Sequence, residues 1–362
     1  MKILHVAETI KGGVASVMQQ LVAYQAKKYD VSVLVPDSQA EELAHVPEGK
    51  KYLFQRTGRN CLSLLSLLKN FIVLVLKNKP AIIHIHSSFA GLICRISLIF
   101  LYPIQRPIVI YCPHAFSFLM ATTSFKVRCY AVIERCLQFI THRIICTSYF
   151  EQQQAINYGI NRAKLCVIYN GIDFIRCDTV SPYDPCNHKK KILFVGRFDR
   201  QKGYDYLIEL IKRLDKHQFQ FTIIGDSVHE NVERLKADNV NYLGWLNYQS
   251  IIPYFQHSMV LVMPSRWESF GLVAVEAESF GLPVLANNCS ALPEVVNNGN
   301  TGYLFDFESD MLSIINLLNS KTEDDWRLMK KHCIDFVTSR FSALTMNKLV
   351  DDLYIELISK SK

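Results

Sequence analysis

The sequence lacks the paired motifs that mark disulfide frameworks, zinc sites and dinucleotide folds. Its eleven cysteines are scattered without a C-x-x-C pair or a regular spacing. An odd number of cysteines without a framework predicts reduced thiols in the cytosol. The G-x-G-x-x-G fingerprint is also missing, which argues against a dinucleotide-dependent oxidoreductase.

Long uninterrupted apolar runs are equally scarce. The apolar start of the chain is too short for a signal peptide and predicts a buried strand. Residues 62–76 are interrupted by Lys69 and Asn70 and fall short of the roughly 20 residues that a membrane span needs. Residues 89–100 contain Arg95. We therefore expect both segments to be helices packed in an α/β domain.

The composition is that of a well-packed globular protein. The chain has 362 residues, enough for two domains, and is 49% hydrophobic and 20% charged. Both values argue against disorder.

The charge is unevenly divided. Residues 1–180 hold 20 Lys and Arg against 10 Asp and Glu, whereas residues 181–362 hold 20 against 23. A basic first half favours an anionic partner, such as an anionic membrane surface or a diphosphate-linked lipid. Nucleic acid is not expected, because no basic-aromatic interleaving or binding motif is present. An uneven distribution without a function stays open as the alternative.

Short strand-like runs alternate with longer amphipathic stretches along the chain. This alternation predicts two doubly wound halves, each a parallel sheet flanked by helices. Residues 172–190, where prolines interrupt any periodicity, form the predicted linker. The predicted strands are residues 2–7, 31–35, 82–86, 108–112, 143–147 and 165–168 in the first half, and 191–195, 220–224, 240–243, 259–263 and 283–286 in the second.

Two carboxylates stand eight residues apart in the segment PSRWESFGLVAVEA, at Glu268 and Glu276. In a continuous helix they would lie about 12 Å apart, too far for an acid/base pair acting on one bond. We therefore place Glu268 in a loop, Gly271 and Leu272 at a helix start and Glu276 in its first turns. Helix N-terminal amides and two carboxylates suit a ligand with phosphates and hydroxyls, such as a sugar nucleotide. The alternative is a solvated loop glutamate and an ordinary charge near a helix start.

A second pattern, G-R-x4-K, follows a buried strand at Gly196, Arg197 and Lys202. Ligands of open α/β sheets bind at the carboxyl ends of strands, and an Arg fork beside a mobile Lys suits a diphosphate. Taken alone, the pattern also fits solvated surface charges.

The segment from Glu268 to Glu276 resembles the E-x7-E signature of the retaining GT-B glycosyltransferases of family 4, also called glycosyl transferases group 1. Residues 277–286, 292–296 and 302–304 are similar to the rest of that family's donor site. The family includes bacterial capsule, O-antigen and exopolysaccharide enzymes. The resemblance implies two Rossmann-like domains facing across a cleft, an acceptor-side domain at 1–178 and a nucleotide-binding domain at 188–341. It also implies a final helix, 342–362, that crosses back to the first domain.

The resemblance also implies roles for individual residues of the second half. Arg197 and Lys202 would contact the donor diphosphate and neutralise charge on the leaving group. Glu276 would bind the ribose hydroxyls. Leu246 would lie beside the nucleobase, whereas the neighbouring Trp245 is expected to be a core side chain. Sugar hydroxyls would be bound by Glu268 and by the backbone around Ser269, Phe270, Gly271 and Leu272.

In the first half the resemblance points to a glycine loop and a histidine. Gly12 and Gly13 precede a helix expected to start near Ala15, where the backbone approaches a phosphate or sugar closely. His114, just past a strand, matches the family's cleft histidine. We expect His114, Arg197, Lys202 and Glu268 to be the catalytic residues, with His114 not acting as a conventional general base.

No metal and no cofactor are predicted. His84 and His86 share one face of a strand, but the sequence shows no third ligand beside them. A D-x-D pair, which carries the metal-bound donor in the other major glycosyltransferase fold, is missing.

The expected function is therefore retaining, metal-independent transfer of a hexosyl unit in bacterial surface polysaccharide biosynthesis. The expected donor is a UDP-sugar, and the acceptor is a saccharide, carried on a polyprenyl diphosphate. The enzyme would be cytoplasmic and peripheral at the inner face of the plasma membrane. Two alternatives stay open: a GT-B sugar-nucleotide 2-epimerase and a noncatalytic GT-B partner subunit.

Overall fold

The chain forms two compact α/β units. The computed structural model describes residues 1–58, 60–120, 123–227 and 232–361. One unit comprises Met1–Ile172 and Ala343–Lys362, and the other comprises Asp173–Ser342. The change from the first unit to the second falls at the start of the segment predicted as a linker.

The first unit is built on a seven-stranded parallel sheet with the strand order β3-β2-β1-β4-β5-β6-β7. Its elements are β1 (Lys2–Ala7), α1 (Gly13–Gln25), β2 (Asp30–Pro36), β3 (Lys51–Phe54), α2 (Cys61–Asn78), β4 (Ile82–His86), α3 (Ser88–Leu101), β5 (Ile108–Cys112), α4 (Ser124–Leu137), β6 (Arg143–Cys146), α5 (Tyr149–Asn157), β7 (Leu165–Val167) and, from the end of the chain, α13 (Ala343–Ser361).

Helices cover both faces of this sheet. One hydrophobic core joins the sheet to α2, α3 and α4 and includes Phe71, Leu98 and Tyr111. The other joins it to α1 and α13 and includes Met18 and Tyr354. Because both faces are covered, the central strands β1, β4 and β5 are buried along nearly their whole length, including the histidines of β1 and β4.

The second unit repeats this plan with six parallel strands in the order β10-β9-β8-β11-β12-β13 and one main core. Its elements are β8 (Lys190–Val195), α6 (Tyr204–Arg213), β9 (Phe219–Ile224), β10 (Val240–Gly244), α7 (Tyr248–His257), β11 (Val260–Met263), α8 (Leu272–Ser279), β12 (Val284–Asn287), α9 (Leu292–Val295), β13 (Gly302–Phe305), α10 (Met311–Ser320), α11 (Glu323–Arg327) and α12 (Lys330–Arg340).

The prediction of doubly wound parallel sheets is confirmed, but two strands were missed. Each predicted strand agrees with an observed one to within one residue at either end. The missed strands, β3 and β13, both lie at sheet edges. Each has four residues of which only one is buried, so neither shows the apolar run that marks a central strand.

Helix α2 contains the apolar segment 62–76 and packs in the first unit through Leu67, Phe71 and Val75. Among the described residues it is the one helix that is long and apolar enough to cross a membrane, judged by length and composition alone. Its outer side carries four exposed apolar side chains, Leu62, Leu65, Val73 and Leu76.

Candidate active site

Most of the predicted site residues follow strands at which the strand order of a sheet reverses, whereas His114 follows β5 and Leu246 follows the edge strand β10. In the first sheet the reversal falls between β1 and β4, and in the second between β8 and β11. Ligands of doubly wound folds bind beyond the carboxyl ends of the strands at this point, because the two flanking loops diverge there. Gly12 follows β1, Arg197 and Lys202 follow β8, and Glu268 follows β11.

In the second unit, two loops are held against each other. Gly203 ends the β8–α6 loop as the N-cap of α6, with φ +67°. A Cβ built on Gly203 would lie 1.9 Å from the carbonyl oxygen of Pro264, at the start of the β11–α8 loop. The backbone N–H of Arg266 donates to the carbonyl of Gln201 at 2.8 Å. The two loops therefore form one rigid surface, which brings Lys202 to Glu268.

Lys202 and Glu268 form an ion pair with Nζ and Oε1 2.6 Å apart. The hydroxyl of Ser265 donates to the same oxygen at 2.9 Å, and the backbone N–H of Glu268 donates to Ser290 Oγ at 2.8 Å. Glu268 is only 7% exposed. Removing Lys202 would leave this buried charge without its cation, so the pair orients both groups and stabilises the loop.

Arg197 lies in the same loop, half-exposed. Its Nε is 3.2 Å from Asp199 Oδ2, and its guanidinium donates to Gln201 Oε1 at 2.8 Å. Asp199 also accepts the backbone N–H of Lys202 at 2.8 Å. The loop thus carries two cations whose positions are fixed by neutral or acidic neighbours, which suits binding of a diphosphate.

Helix α8 begins at Leu272 with Gly271 as its N-cap in the left-handed region, as the sequence predicted. The first N–H groups of a helix have no intrahelical acceptor and favour an anion. Phe270 is buried and its ring packs edge-on against Phe341 at 5.5 Å, so its side chain is a core group. Ser269 and Leu272 are partly exposed on either side of it.

Glu276 lies in the second turn of α8 and is partly exposed. Burial by the surrounding protein raises the pKa of Glu276 to about 8, although the positive charge of Lys202 opposes this shift. The carboxyl group is therefore largely protonated at neutral pH before a ligand arrives. A ligand that donates hydrogen bonds would favour its ionised form.

Two family models match this chain, one in each half of the sequence. The Glycosyltransferase Family 4 model matches residues 11–176, and the Glycosyl transferases group 1 model matches residues 184–335. A protein of Klebsiella pneumoniae, described as an uncharacterized 41.2 kDa protein in the cps region, is 44% identical, covering 94% of this chain and 96% of its own. The chain belongs to the group 1, family 4 glycosyltransferases.

Other relatives of this glycosyltransferase carry assigned activities. The Escherichia coli UDP-Gal:alpha-D-GlcNAc-diphosphoundecaprenol alpha-1,3-galactosyltransferase is 27% identical over 94% of this chain and 92% of that enzyme. The Staphylococcus aureus capsular polysaccharide biosynthesis glycosyltransferase CapM is 25% identical over 89% of this chain and 88% of that enzyme.

Solved structures show the same GT-B fold. Sucrose-phosphate synthase from Thermosynechococcus elongatus superposes with a TM-score of 0.80 at 18% identity, over 99% of this chain and all of that one. Anabaena HepE, solved with UDP-glucose, superposes with a TM-score of 0.78 at 20% identity, over 98% of this chain and all of that one.

One prediction for the segment expected to lie beside the nucleobase was wrong. Trp245, expected in the core, is 57% exposed in the loop between β10 and α7, next to the partly buried Leu246. Tyr248 begins α7, and its pKa is raised by burial and by the nearby Glu276 carboxylate. Sequence reasoning missed Tyr248, which the fold brings near the residue predicted to bind ribose.

Glu278, two residues after Glu276, faces away from that site. It is fully buried and accepts a hydrogen bond from the Thr301 hydroxyl at 2.7 Å. Burial raises the pKa of Glu278 well above its usual value, so it is a neutral acid in the core. The side chain of Glu278 is therefore part of the local packing of the second unit.

In the first unit, Gly12 is the N-cap of α1 with φ +61° and ψ −136°, and Gly13 is the helix's first residue. The helix thus begins two residues before the predicted start near Ala15. A residue that sequence reasoning missed, Glu8, follows β1 directly: it is buried, and Arg56 pairs with its Oε1 at 2.8 Å. A carboxylate group therefore lies directly beyond the carboxyl end of β1.

His114 follows β5 with a backbone φ of +55°. Its Nε2 lies 2.9 Å from His86 Nδ1. Burial lowers the pKa of His114 to about 4, so its imidazole is neutral at physiological pH and a weak base.

A third histidine joins the pair on β4, contrary to the expectation that no third ligand was present. His5 of β1 stands in register with His84, and their side chains share a face of the sheet with His86. Nitrogen atoms of these three buried residues lie within 4.8 Å of one another, close enough to hold a metal ion. Parallel pairing of β1 with β4, whose partner residues are 79 positions apart in the chain, produced this cluster, and neither strand alone indicates it.

Proposed function

We propose that this enzyme is a retaining hexosyltransferase that uses a UDP-sugar and needs no metal ion. The observation that carries the proposal is the Lys202–Glu268 ion pair, 2.6 Å long, beside Arg197 and the start of α8. Two cations and a helix N-terminus suit a diphosphate, while Glu268 and Glu276 suit hydroxyls. Arg197 and Lys202 would offset the charge that grows on the departing phosphate, the role a cation has elsewhere.

The proposed acceptor is a polyprenyl-diphosphate-linked saccharide in bacterial surface polysaccharide assembly. The E. coli relative is named for transfer from UDP-Gal to a diphosphoundecaprenol-linked sugar, and the S. aureus relative for capsule biosynthesis. The Klebsiella relative is described as lying in a cps region. All three align with at least 89% of this chain, which supports a shared role in surface polysaccharides and, from the E. coli relative, a UDP-linked donor.

The proposed chemistry is attack from the leaving-group face. The acceptor hydroxyl bonds to the anomeric carbon as the bond to the diphosphate breaks, and the departing phosphate oxygen takes the hydroxyl proton. Glu268 is held by Lys202, and Glu8 by Arg56. These ion pairs favour positioning roles over nucleophilic ones. The anomeric configuration of the product, read from its proton coupling constant, tests retention.

Thermal-shift titration of the purified protein with UDP, GDP and ADP, with and without EDTA, tests the donor site. We expect stabilisation by UDP that survives EDTA. The Arg197→Ala variant should bind UDP about 10- to 100-fold more weakly, the worth of one charged hydrogen-bonding group. Its control is Arg213→Ala, because Arg213 pairs with Glu209 on the exposed face of α6 and should not affect binding.

Three outcomes would contradict this proposal. Loss of binding in EDTA would show that the donor needs a metal ion. Isomerisation of a UDP-sugar without an acceptor would support a 2-epimerase. A folded protein that binds no nucleotide would support a noncatalytic subunit.

The first unit also offers a surface suited to the membrane. Helices α2, α3 and α4 are neighbours on one face of the sheet and carry outward-facing apolar side chains. Three of these, Leu62, Phe100 and Phe125, are 76% to 77% exposed, and Phe139, in the short 3₁₀ turn that follows α4, is 85% exposed. Exposed cations, Lys69, Lys126 and Arg128, lie on the same helices. Apolar groups with cations suit the headgroup region of an anionic bilayer.

We therefore propose peripheral binding to the inner face of the plasma membrane. Sedimentation with phosphatidylglycerol vesicles should retain the wild type, and the retention should weaken with salt. The Phe100→Ser/Phe125→Ser variant should lose retention. Leu328→Ser, which alters an equally exposed side chain of the second unit, is the control. Equal retention of both variants would contradict membrane binding through this surface.

A further inference from the structure

A chain of hydrogen bonds between polar side chains crosses the first unit and ends at His114. The Gln25 amide donates from Nε2 to Asp351 Oδ1 at 3.4 Å, and Gln25 Oε1 lies 2.9 Å from His5 Nε2. His5 Nδ1 lies 3.0 Å from His86 Nε2, and His86 Nδ1 lies 2.9 Å from His114 Nε2. All but His114 are buried. We call these five residues the relay.

The direction of the hydrogen bonds is set at the Asp351 end. A carboxylate only accepts, and Lys28 pairs with its other oxygen at 3.1 Å. The Gln25 amide must therefore turn its nitrogen toward Asp351 and its oxygen toward His5. That oxygen can only accept, so His5 carries a proton on Nε2. Burial lowers the pKa of His5 to about 4, so the ring holds one proton and its Nδ1 is an acceptor.

The same reasoning passes along the relay to His114. Because His5 Nδ1 accepts, His86 must donate from Nε2. Burial holds the pKa of His86 well below its usual value, so its Nδ1 carries no proton and accepts in turn. His114 must then donate from Nε2, which leaves Nδ1 as the unprotonated nitrogen of its neutral ring.

We propose that the relay holds His114 in a single tautomer, with its proton on Nε2, and in a single ring orientation. Gln25, His5 and His86 are then positioning residues that act through His114. The rings of His114 and His86 are nearly coplanar, with centroids 5.2 Å apart and planes 17° apart, as a hydrogen bond in the plane of both rings requires.

This inference rests on the proposed function in placing His114 beside the reacting sugar. There the other tautomer would exchange the donor and acceptor nitrogens of the imidazole. A hydrogen bond aligned for the reaction would be lost or reversed, which lowers the rate of the chemical step more than the binding of the nucleotide.

A metal ion bound by His5, His84 and His86 is the competing explanation of the cluster. The relay is favoured because the His5–His86 contact has the length of an N–H···N hydrogen bond, and a metal would take the place of that proton. Each imidazole would then have to direct an unprotonated nitrogen at the ion. Elemental analysis of the purified protein separates the two: stoichiometric metal overturns the relay.

Nitrogen NMR of the full chain, labelled with ¹⁵N-histidine, tests the relay directly. Long-range proton couplings distinguish the two neutral tautomers, and single-histidine variants assign the signals. At pH 7 we expect His5, His86 and His114 all to be neutral with the proton on Nε2. His114 protonated on Nδ1, or exchanging between tautomers, overturns the proposal. This measurement does not depend on activity.

The Gln25→Leu variant removes the amide that links Asp351 to His5, and His84→Asn is its matched control. His84 lies equally buried in the same cluster, but it bonds Tyr354 through Nδ1 at 2.6 Å, an atom that the Asn amide can replace. In Gln25→Leu we expect a mixture of His114 tautomers and a turnover number about tenfold lower, the effect of one misaligned hydrogen bond. UDP affinity should stay within about twofold. His84→Asn should change neither quantity.

The outcomes separate the relay from the proposed function. An unchanged His114 tautomer in Gln25→Leu overturns the relay alone. A changed tautomer with normal turnover supports the relay but overturns the placement of His114 beside the reacting sugar. Failure of the wild type to bind UDP overturns the proposed function, while the wild-type NMR spectrum still decides the tautomer. If Gln25→Leu does not fold, that wild-type spectrum is sufficient to overturn or support the relay.

Discussion

Single residues of this enzyme gain their chemistry from their surroundings. Glu276 and Glu278 stand two positions apart on α8, and burial raises the pKa of both. Glu278 is closed inside the core against Thr301. Glu276 is partly open and near the positive charge of Lys202. Only Glu276 can therefore change its protonation when a ligand arrives.

We predict that UDP binding releases protons near pH 7. The pKa of Glu276 is about 8 without ligand, so the group is mostly protonated. Ribose hydroxyls donating to its carboxylate would stabilise the ionised form and lower the pKa. Isothermal titration in phosphate and in Tris buffers should show binding enthalpies that differ by the buffers' ionisation enthalpies. The Glu276→Gln variant should lose this difference, and its persistence there would contradict the assignment.

Glu276 also makes the free energy of unfolding depend on pH, and this dependence has the opposite sign to that of an ordinary surface carboxylate. Its pKa is raised from 4.5 to about 8 by folding. Between these values the folded state binds more protons than the unfolded state, so its contribution to stability falls as the pH rises. Glu276→Gln keeps a neutral group at all pH values. It should therefore gain stability relative to the wild type from pH 5 to pH 8 in urea unfolding.

Elements of the second unit meet through backbone contacts that side chains would prevent. Gly203, at the start of α6, faces the Pro264 carbonyl at a distance that excludes any Cβ. The contact fixes the loop that carries Arg197 and Lys202 against the loop that carries Glu268. The geometry of the Lys202–Glu268 ion pair therefore depends on Gly203, whose own atoms take no part in the pair.

Gly203→Ala should disturb both stability and donor binding. The new Cβ would lie 1.9 Å from a backbone oxygen, in a left-handed conformation that L-residues disfavour. Strain and overpacking together should cost at least about 2 kcal/mol in urea unfolding. UDP affinity should fall as well. Gly49→Ala is the control, because a Cβ there meets no atom within 4 Å and the backbone needs no positive φ. Equal stability of the two variants would contradict the close approach.

At the scale of the whole molecule, the two units differ in how the chain builds them. The second unit is one continuous segment with its own core. The first needs α13 from the far end of the chain, which adds Val350, Tyr354 and Leu357 to the core under the sheet. The backbone N–H of Ala343 donates to Ile172 at 3.0 Å, so the two pieces of this unit meet end to end.

We predict that fragment 173–342 folds alone and that fragment 1–172 does not. Without α13, fragment 1–172 would expose the apolar face of its sheet that α13 covers. Circular dichroism in urea should show a cooperative transition for 173–342 and none for 1–172. Joining Ile172 directly to Ala343, so that residues 1–172 run into 343–362, should restore cooperative unfolding. Cooperative unfolding of 1–172 by itself would show that α13 is dispensable.

The sequence by itself determined the class of fold and the start of α8 after the loop that carries Glu268. The nine strands inside the two sheets are buried and mostly apolar, so they could be predicted from local pattern, as could the edge strands β7 and β10. The helix start at Gly271 was likewise local, because it depends on one backbone conformation. The edge strands β3 and β13 were missed because half-exposed strands of four residues carry too little pattern.

Tertiary structure alone decided which distant groups meet. The exposure of Trp245, the Glu8–Arg56 pair and the partnership of His5 with His84 and His86 depend on strand register and on loops that meet in space. So does the anchoring of His5 through Gln25 to Asp351, which lies 326 residues away in the chain. Periodicity records which face of an element is buried, but not which other element covers it, and the chemistry of these side chains depends on that covering.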